Sequence, residues 1–86
     1  MKQWIDPKTF GLPATTRILK TGADVYRIVV KRKSRIVMKD GQKLLEKAEK
    51  IKAHLPRARI GLETTAPVCS KTKQFLESRG IDIHTE

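Results

Sequence analysis

Basic residues crowd one short stretch of the chain. Six of the thirteen residues from position 27 to position 39 are Lys or Arg, namely Arg27, Lys31, Arg32, Lys33, Arg35 and Lys39. Such a cluster attracts backbone phosphates, and an exposed two-stranded ribbon is slim enough to lie along a nucleic-acid groove. Lysines also protect sheet edges against aggregation, but that role explains the run Lys31-Arg32-Lys33 less well. The stretch therefore predicts a contact with nucleic acid, assisted by Arg17, Lys20, Arg57 and Arg59.

The overall charge agrees with that contact. The 86 residues include 19 Lys and Arg against 9 Asp and Glu, which gives a formal net charge of +10. An anionic partner relieves the self-repulsion of such a chain, and nucleic acid is the first candidate for it. A soluble protein that is merely basic is the alternative. The sequence contains no apolar run near the roughly 20 residues that cross a bilayer, so we expect no membrane span.

The remaining candidate groups favour a protein without a cofactor. The glycines are scattered singly, so neither a phosphate-binding loop nor a dinucleotide pattern is present, and His54 and His84 lack neighbours at metal-ligand spacing. Cys69 lies in the first turn of the predicted second helix, where free amides and the helix dipole lower a thiol pKa. No second cysteine stands at the Cys-x-x-Cys spacing, which favours a bystander thiol. With one cysteine and no secretory signal, the sequence predicts a reducing, cytoplasmic location.

Aromatic residues are few. The sequence holds Trp4, Phe10, Tyr26 and Phe75 and no other Phe, Tyr or Trp. Proteins that recognise single strands by base stacking depend on exposed aromatic platforms. This scarcity argues against that mode of recognition.

The elements that position the basic stretch are predicted from periodicity. Residues 1–14 contain two prolines and a glycine and are interpreted as an irregular arm, and residues 15–86 as a single α/β domain. Residues 15–20 form a first strand. Apolar and polar residues alternate from 25 to 32, and a tight turn at Lys33-Ser34 leads into the apolar residues 36–38. Residues 25–39 therefore predict a β-hairpin that carries the basic cluster.

Two helices and two further strands follow. Leu44, Ala48, Ile51 and Leu55 lie on one helical stripe that begins after Asp40. Residues 58–62 alternate as a strand, a second helix runs from Pro67 to Gly80, and residues 81–83 form the last strand. The sequence thus predicts a small α/β (α+β) fold with one mixed sheet in the order β-β-β-α-β-α-β. Its antiparallel meander is followed by parallel crossover strands.

Three stretches carry a resemblance to a known family. Gly-Ala-Asp-Val-Tyr at 22–26, Arg-Ile-Val-Met-Lys-Asp at 35–40 and Ile-Gly-Leu-Glu-Thr-Thr-Ala-Pro at 60–67 resemble the core of the PD-(D/E)XK, or restriction-endonuclease-like, nucleases. The likeness covers about residues 15–84. It implies that Asp24 binds Mg²⁺ and that Lys39 is catalytic. Val37 occupies the place of the second acid, for which Glu46 is a substitute on the next helix.

Three functions follow as expectations. The first is a non-catalytic nucleic-acid-binding domain that contacts the phosphate backbone through the cationic hairpin and through Arg57 and Arg59. The second is a minimal Mg²⁺-dependent nuclease that uses Asp24, Lys39 and Glu46. The third is an interaction subunit for an acidic protein, and the edge strands of so short a sheet also allow a homodimer.

Overall fold

The computed structural model describes residues 3–85 and builds them around one mixed sheet. Its five strands follow one another across the sheet in chain order, and the first two neighbouring pairs are antiparallel whereas the last two are parallel. The predicted fold class and element order are confirmed. The elements are β1 (Gln3–Ile5), a 3-10 helix (Pro7–Phe10), β2 (Arg17–Gly22), β3 (Val25–Val30), α1 (Met38–His54), β4 (Arg59–Thr64), α2 (Ser70–Ser78) and β5 (Asp82–Thr85).

Both α-helices cover the same face of the sheet. The β3–α1–β4 and β4–α2–β5 connections step in the same direction across the sheet, and right-handed crossovers in that order put both helices on one side. A single core lies between the helices and this face, and Ile18, Ile51, Ile60, Leu62 and Leu76 are almost completely buried in it. Neither helix among the described residues is long and apolar enough to cross a bilayer.

The third antiparallel strand is not where the sequence predicts it. Residues 36–38 do not form a strand, because α1 begins at Met38 and Val37 is its N-cap. The Asp40 carboxylate accepts the Val37 N–H at 3.1 Å, and this side-chain cap starts the helix before Asp40 instead of after it. The predicted hairpin at 25–39 is therefore wrong. The hairpin that forms joins β2 to β3 through a turn at Ala23 and Asp24.

The predicted irregular arm supplies the missing strand. Gln3–Ile5 forms β1 and pairs with β2, with Trp4 opposite Leu19 and Ile5 opposite Ile18. After the 3-10 helix, the Phe10 side chain is buried and packs edge-on against Tyr26, with ring centroids 6.5 Å apart. The arm thus belongs to the folded domain.

The two helices cross closely near the start of α1. A Cβ built on Gly41 would lie 2.7 Å from the Cγ2 atom of Thr72 in α2, so this position has no room for a larger residue. α2 itself begins at Ser70, three residues after the predicted start at Pro67. Gly80 follows α2 with a φ of +79°, which confirms the predicted left-handed helix end. The contact at Gly41 fixes where the first turns of α1 lie over the sheet.

Candidate nucleic-acid interface

The basic loop, which we define as residues 31–37, connects β3 to α1 and is anchored at its middle. Ile36 is fully buried. Its N–H donates to the Pro67 carbonyl and its carbonyl accepts the Cys69 N–H, both at 2.9 Å. These two bonds tie the basic loop to the segment that follows β4. The loop is therefore held at the carboxyl ends of the parallel strands β3 and β4, where open α/β sheets commonly bind ligands.

Arg32 stabilises the shape of the basic loop from inside. Its Nη2 atom lies 2.6 Å from the Asp40 carboxylate, and its guanidinium also donates to the Ser34 and Arg35 carbonyls at 3.2 and 3.0 Å. Hydrogen bonds from Arg32 first, and then from the Val37 N–H, hold the pKa of Asp40 below its usual value of 3.8. Because the donors of Arg32 are already engaged, we do not count it among the groups free to bind phosphate.

The other basic side chains of the loop point into solvent. Lys31, Lys33 and Arg35 are exposed, and so is Lys39 in the first turn of α1. The ion pairs that the structure shows within residues 3–85 are Arg27–Glu63 and Arg32–Asp40, and these four cations belong to neither. They are available to a polyanion.

A row of lysines on α1 lies beside the basic loop. Lys39, Lys43 and Lys47 recur every four residues, so they share one side of the helix with successive ammonium groups about 6 Å apart along its axis. We call this row the lysine ridge. It adjoins the apolar stripe formed by Leu44 and Ala48, which fixes its orientation relative to the sheet.

Two adjoining grooves lie between the lysine ridge and the strand ends. The larger encloses about 400 Å³ and its lining includes Arg17, Lys31 and Lys47, and the smaller encloses about 250 Å³ and is lined in part by Lys43 and Lys47. Lys47 and Val30 line both. Among the described residues that line either groove, Asp40 is the one carboxylate, and Arg32 already neutralises it. The grooves thus form one concave surface of positive charge.

Other residues of the predicted interface lie elsewhere. The Nη1 atom of Arg27 is 2.9 Å from the Glu63 carboxylate, on the sheet face that the helices leave uncovered. Arg57 follows α1, and the Arg59 N–H donates to the Asp24 carbonyl at the start of β3, at the far end of the sheet from the basic loop. We predicted that these three residues and the basic loop form one surface. The topology corrects this prediction, because it places all three away from the loop.

The residues implied by the nuclease resemblance do not converge. Asp24 lies in the turn before β3, and Lys39 lies in α1, which begins after the opposite end of β3. Glu46 is exposed two turns further along α1. A six-residue strand separates the first two by about 20 Å of rise. No group of three or more His, Cys, Asp or Glu side chains within residues 3–85 could hold a metal ion.

Cys69 borders the same end of the sheet. It is the N-cap residue of α2 and is half-buried, with Arg35 beside it in a shallow cavity. Its sulfur faces the N–H groups of Lys71 and Thr72 without closing a full cap hydrogen bond. The dipole of the Lys71 N–H, followed by that of Thr72, lowers the pKa of the Cys69 thiol, which is the direction predicted for a thiol at the start of this helix.

Sequence reasoning missed Lys43 and Lys47. Neither residue was among the predicted contacts, whereas Lys47 lines both grooves and Lys43 lines the smaller one. The four-residue spacing from Lys39 to Lys47 was a visible signal of a single row. Nothing in the spacing indicates that Arg17, from β2, lies across the groove from that row.

No protein-family model, no curated protein and no solved structure matches this chain.

Proposed function

We propose that this protein is a non-catalytic nucleic-acid-binding domain that holds the phosphate backbone in the grooves between the basic loop and the lysine ridge. One observation carries the proposal, which is the convergence of unpaired cations from three separate segments on one concave surface. The residues that line the grooves are Arg17 from β2, Lys31 from the basic loop, and Lys43 and Lys47 from α1. Lys33, Arg35 and Lys39 are exposed on the adjoining basic loop and the first turn of α1.

The lysine ridge reduces the stability of α1 slightly, and a bound anion would relieve this cost. Lys39–Lys43 and Lys43–Lys47 are like-charge pairs four residues apart, and such pairs destabilise a helix by about 0.2–0.5 kcal/mol each. The nearby Asp40 carboxylate offsets them only in part, because Arg32 is its hydrogen-bonded partner and its attraction to Lys43 is weaker. A chain of phosphates would convert this repulsion into attraction and release counterions.

The surface favours binding without strong base selectivity. Lysine side chains reach phosphates as flexible point charges, whereas base-specific contacts require fixed, bidentate donors. The guanidinium of Arg32 is a bidentate donor of this kind, but it already donates to two loop carbonyls and to the Asp40 carboxylate. Contacts to phosphate position a protein on nucleic acid and carry no sequence information directly.

Fluorescence anisotropy with labelled oligonucleotides tests the proposal. We expect a short duplex and a single strand to bind with affinity that falls steeply as salt is raised. Two duplexes of unrelated sequence should bind within a few-fold of each other. A labelled polyglutamate peptide is the matched control, because it offers the charge of an acidic protein partner without the phosphate spacing. Absent or salt-indifferent binding of both nucleic acids would remove the proposal, and stronger binding of polyglutamate would favour an acidic protein partner instead.

A further inference from the structure

The sheet face opposite the helices carries an exposed aromatic side chain. Trp4 is 59% exposed, whereas Phe10 and Tyr26 are buried in the core and Phe75 is half-buried against it. Among residues 3–85, Trp4 is the aromatic residue whose ring is open to solvent. A single exposed apolar residue is common on protein surfaces, so its meaning depends on its neighbours.

The neighbours of Trp4 make a small platform on that face. Trp4 lies opposite Leu19 in the β1–β2 pair, so Arg17, two residues before Leu19, is its diagonal neighbour on the same face. Diagonal neighbours are about 7–8 Å apart and within reach of long and aromatic side chains. Leu19 is 5% exposed although no helix within residues 3–85 lies over it. Its cover therefore comes from the side chains around it on this face.

Arg17 connects this platform to the proposed interface. It lines the larger groove together with Lys31 and Lys47, and the β1–β2 register places it diagonal to Trp4. The aromatic ring and the phosphate-binding groove are thus continuous through one arginine. Tryptophan and arginine are the side chains on which bases stack in proteins that bind single strands, and this stacking tolerates any base.

We infer that Trp4, with Arg17 beside it, stacks an unpaired base of a single strand whose phosphates occupy the grooves. The inference rests on the proposed function and narrows it, because the bases of a duplex are already stacked on each other and are not offered to the ring. Single-stranded nucleic acid is therefore the preferred ligand. The scarcity of aromatic residues in the sequence argued against this mode, but the structure leaves one of them exposed at the edge of the basic surface.

The intrinsic fluorescence of the protein reports this contact directly, because Trp4 is its single tryptophan. The probes are a thymidine oligomer of about ten nucleotides, within the usual site size of one small domain, and an abasic oligomer of equal length. We expect the thymidine oligomer to quench the emission of Trp4 and the abasic oligomer to leave it unchanged. Trp4→Ala should weaken binding of the thymidine oligomer by about five- to 150-fold, and Trp4→Phe should restore most of it.

The abasic oligomer distinguishes a failure of the stacking inference from a failure of the proposed function. If it binds with salt-dependent affinity while the thymidine oligomer binds no more tightly and leaves the emission unchanged, the stacking inference fails and the proposed function stands. If Trp4→Ala weakens both oligomers equally, Trp4 has a structural role and the inference again fails. If neither oligomer binds to the wild-type protein, both proposals are overturned. Circular dichroism melting of each variant checks that β1 is intact.

Discussion

Removing two charges from the lysine ridge is the sharpest perturbation of the proposed interface. The variant Lys43→Gln/Lys47→Gln keeps the length and helix propensity of both side chains but removes two of the cations that line the grooves. Four unpaired cations line these grooves, and three more, Lys33, Arg35 and Lys39, are exposed on the adjoining loop and helix turn. Each of the seven that neutralises a duplex phosphate adds about 0.9 to the magnitude of the salt slope. We therefore expect a slope near −6 for wild type and near −4.5 for the variant. The control Lys52→Gln/Lys73→Gln has the same net charge but changes residues outside both grooves.

The assay is anisotropy of a labelled duplex titrated at several salt concentrations between about 50 and 200 mM, the range over which six to ten phosphate contacts cost about 10³–10⁵ in affinity. A duplex isolates the phosphate contribution, because its bases are paired. The ridge variant should lose affinity mainly at low salt, whereas the control should retain the wild-type slope. Equal slopes for both double variants would refute the reasoning, since binding would then depend on net charge and not on this surface.

Three further predictions concern stability and the limits of the interface. Asp40→Asn should lower the free energy of unfolding by about 1–2 kcal/mol at pH 7, because it weakens charge-assisted bonds at a partly solvent-screened site. The folded-state pKa of Asp40 is lowered, so this stability is present above its usual pKa and is lost as the pH falls below about 4. Urea unfolding at pH 7 and below pH 4 should show that the stability difference between wild type and Asp40→Asn shrinks at the lower pH. Gly41→Ala should reduce the free energy of unfolding by up to about 2 kcal/mol in the same assay. The added methyl group crowds Thr72 at a cost of about 1–3 kcal/mol, and the higher helix propensity of alanine offsets about 1 kcal/mol of it. A stabilised variant would contradict the close helix crossing. Arg57→Gln/Arg59→Gln should leave the salt slope of duplex binding unchanged, because both residues lie at the far end of the sheet.

The fold was predictable wherever one periodicity dominated. The stripe from Leu44 to Ile51 predicted α1, and the alternation of Tyr26 and Ile28 with Arg27 and Val29 predicted β3 with its correct buried face. These patterns are local, and a buried face specifies them strongly.

The prediction failed where side-chain contacts that apolar periodicity does not show decide the structure. Residues 36–38 are apolar enough for a strand, but the Asp40 cap and the Arg32–Asp40 ion pair start a helix there. The candidate interface likewise has one part that the sequence predicted and one part that it did not. The density of cations in the basic loop was visible in the sequence, whereas the meeting of Arg17 with Lys47 depends on strand register and helix crossing. Local spacing does not encode either of these.

The position of the bound nucleic acid on the protein is the most direct test of the account. Amide chemical shifts of isotopically labelled protein should be followed by NMR during titration with a short duplex. We expect the largest changes at Arg17, in residues 31–39 and around Lys43 and Lys47, with little change near Asp24 and in residues 57–59. Changes centred on the Asp24 turn and residues 57–59, with the basic loop and the lysine ridge unaffected, would contradict the central claim.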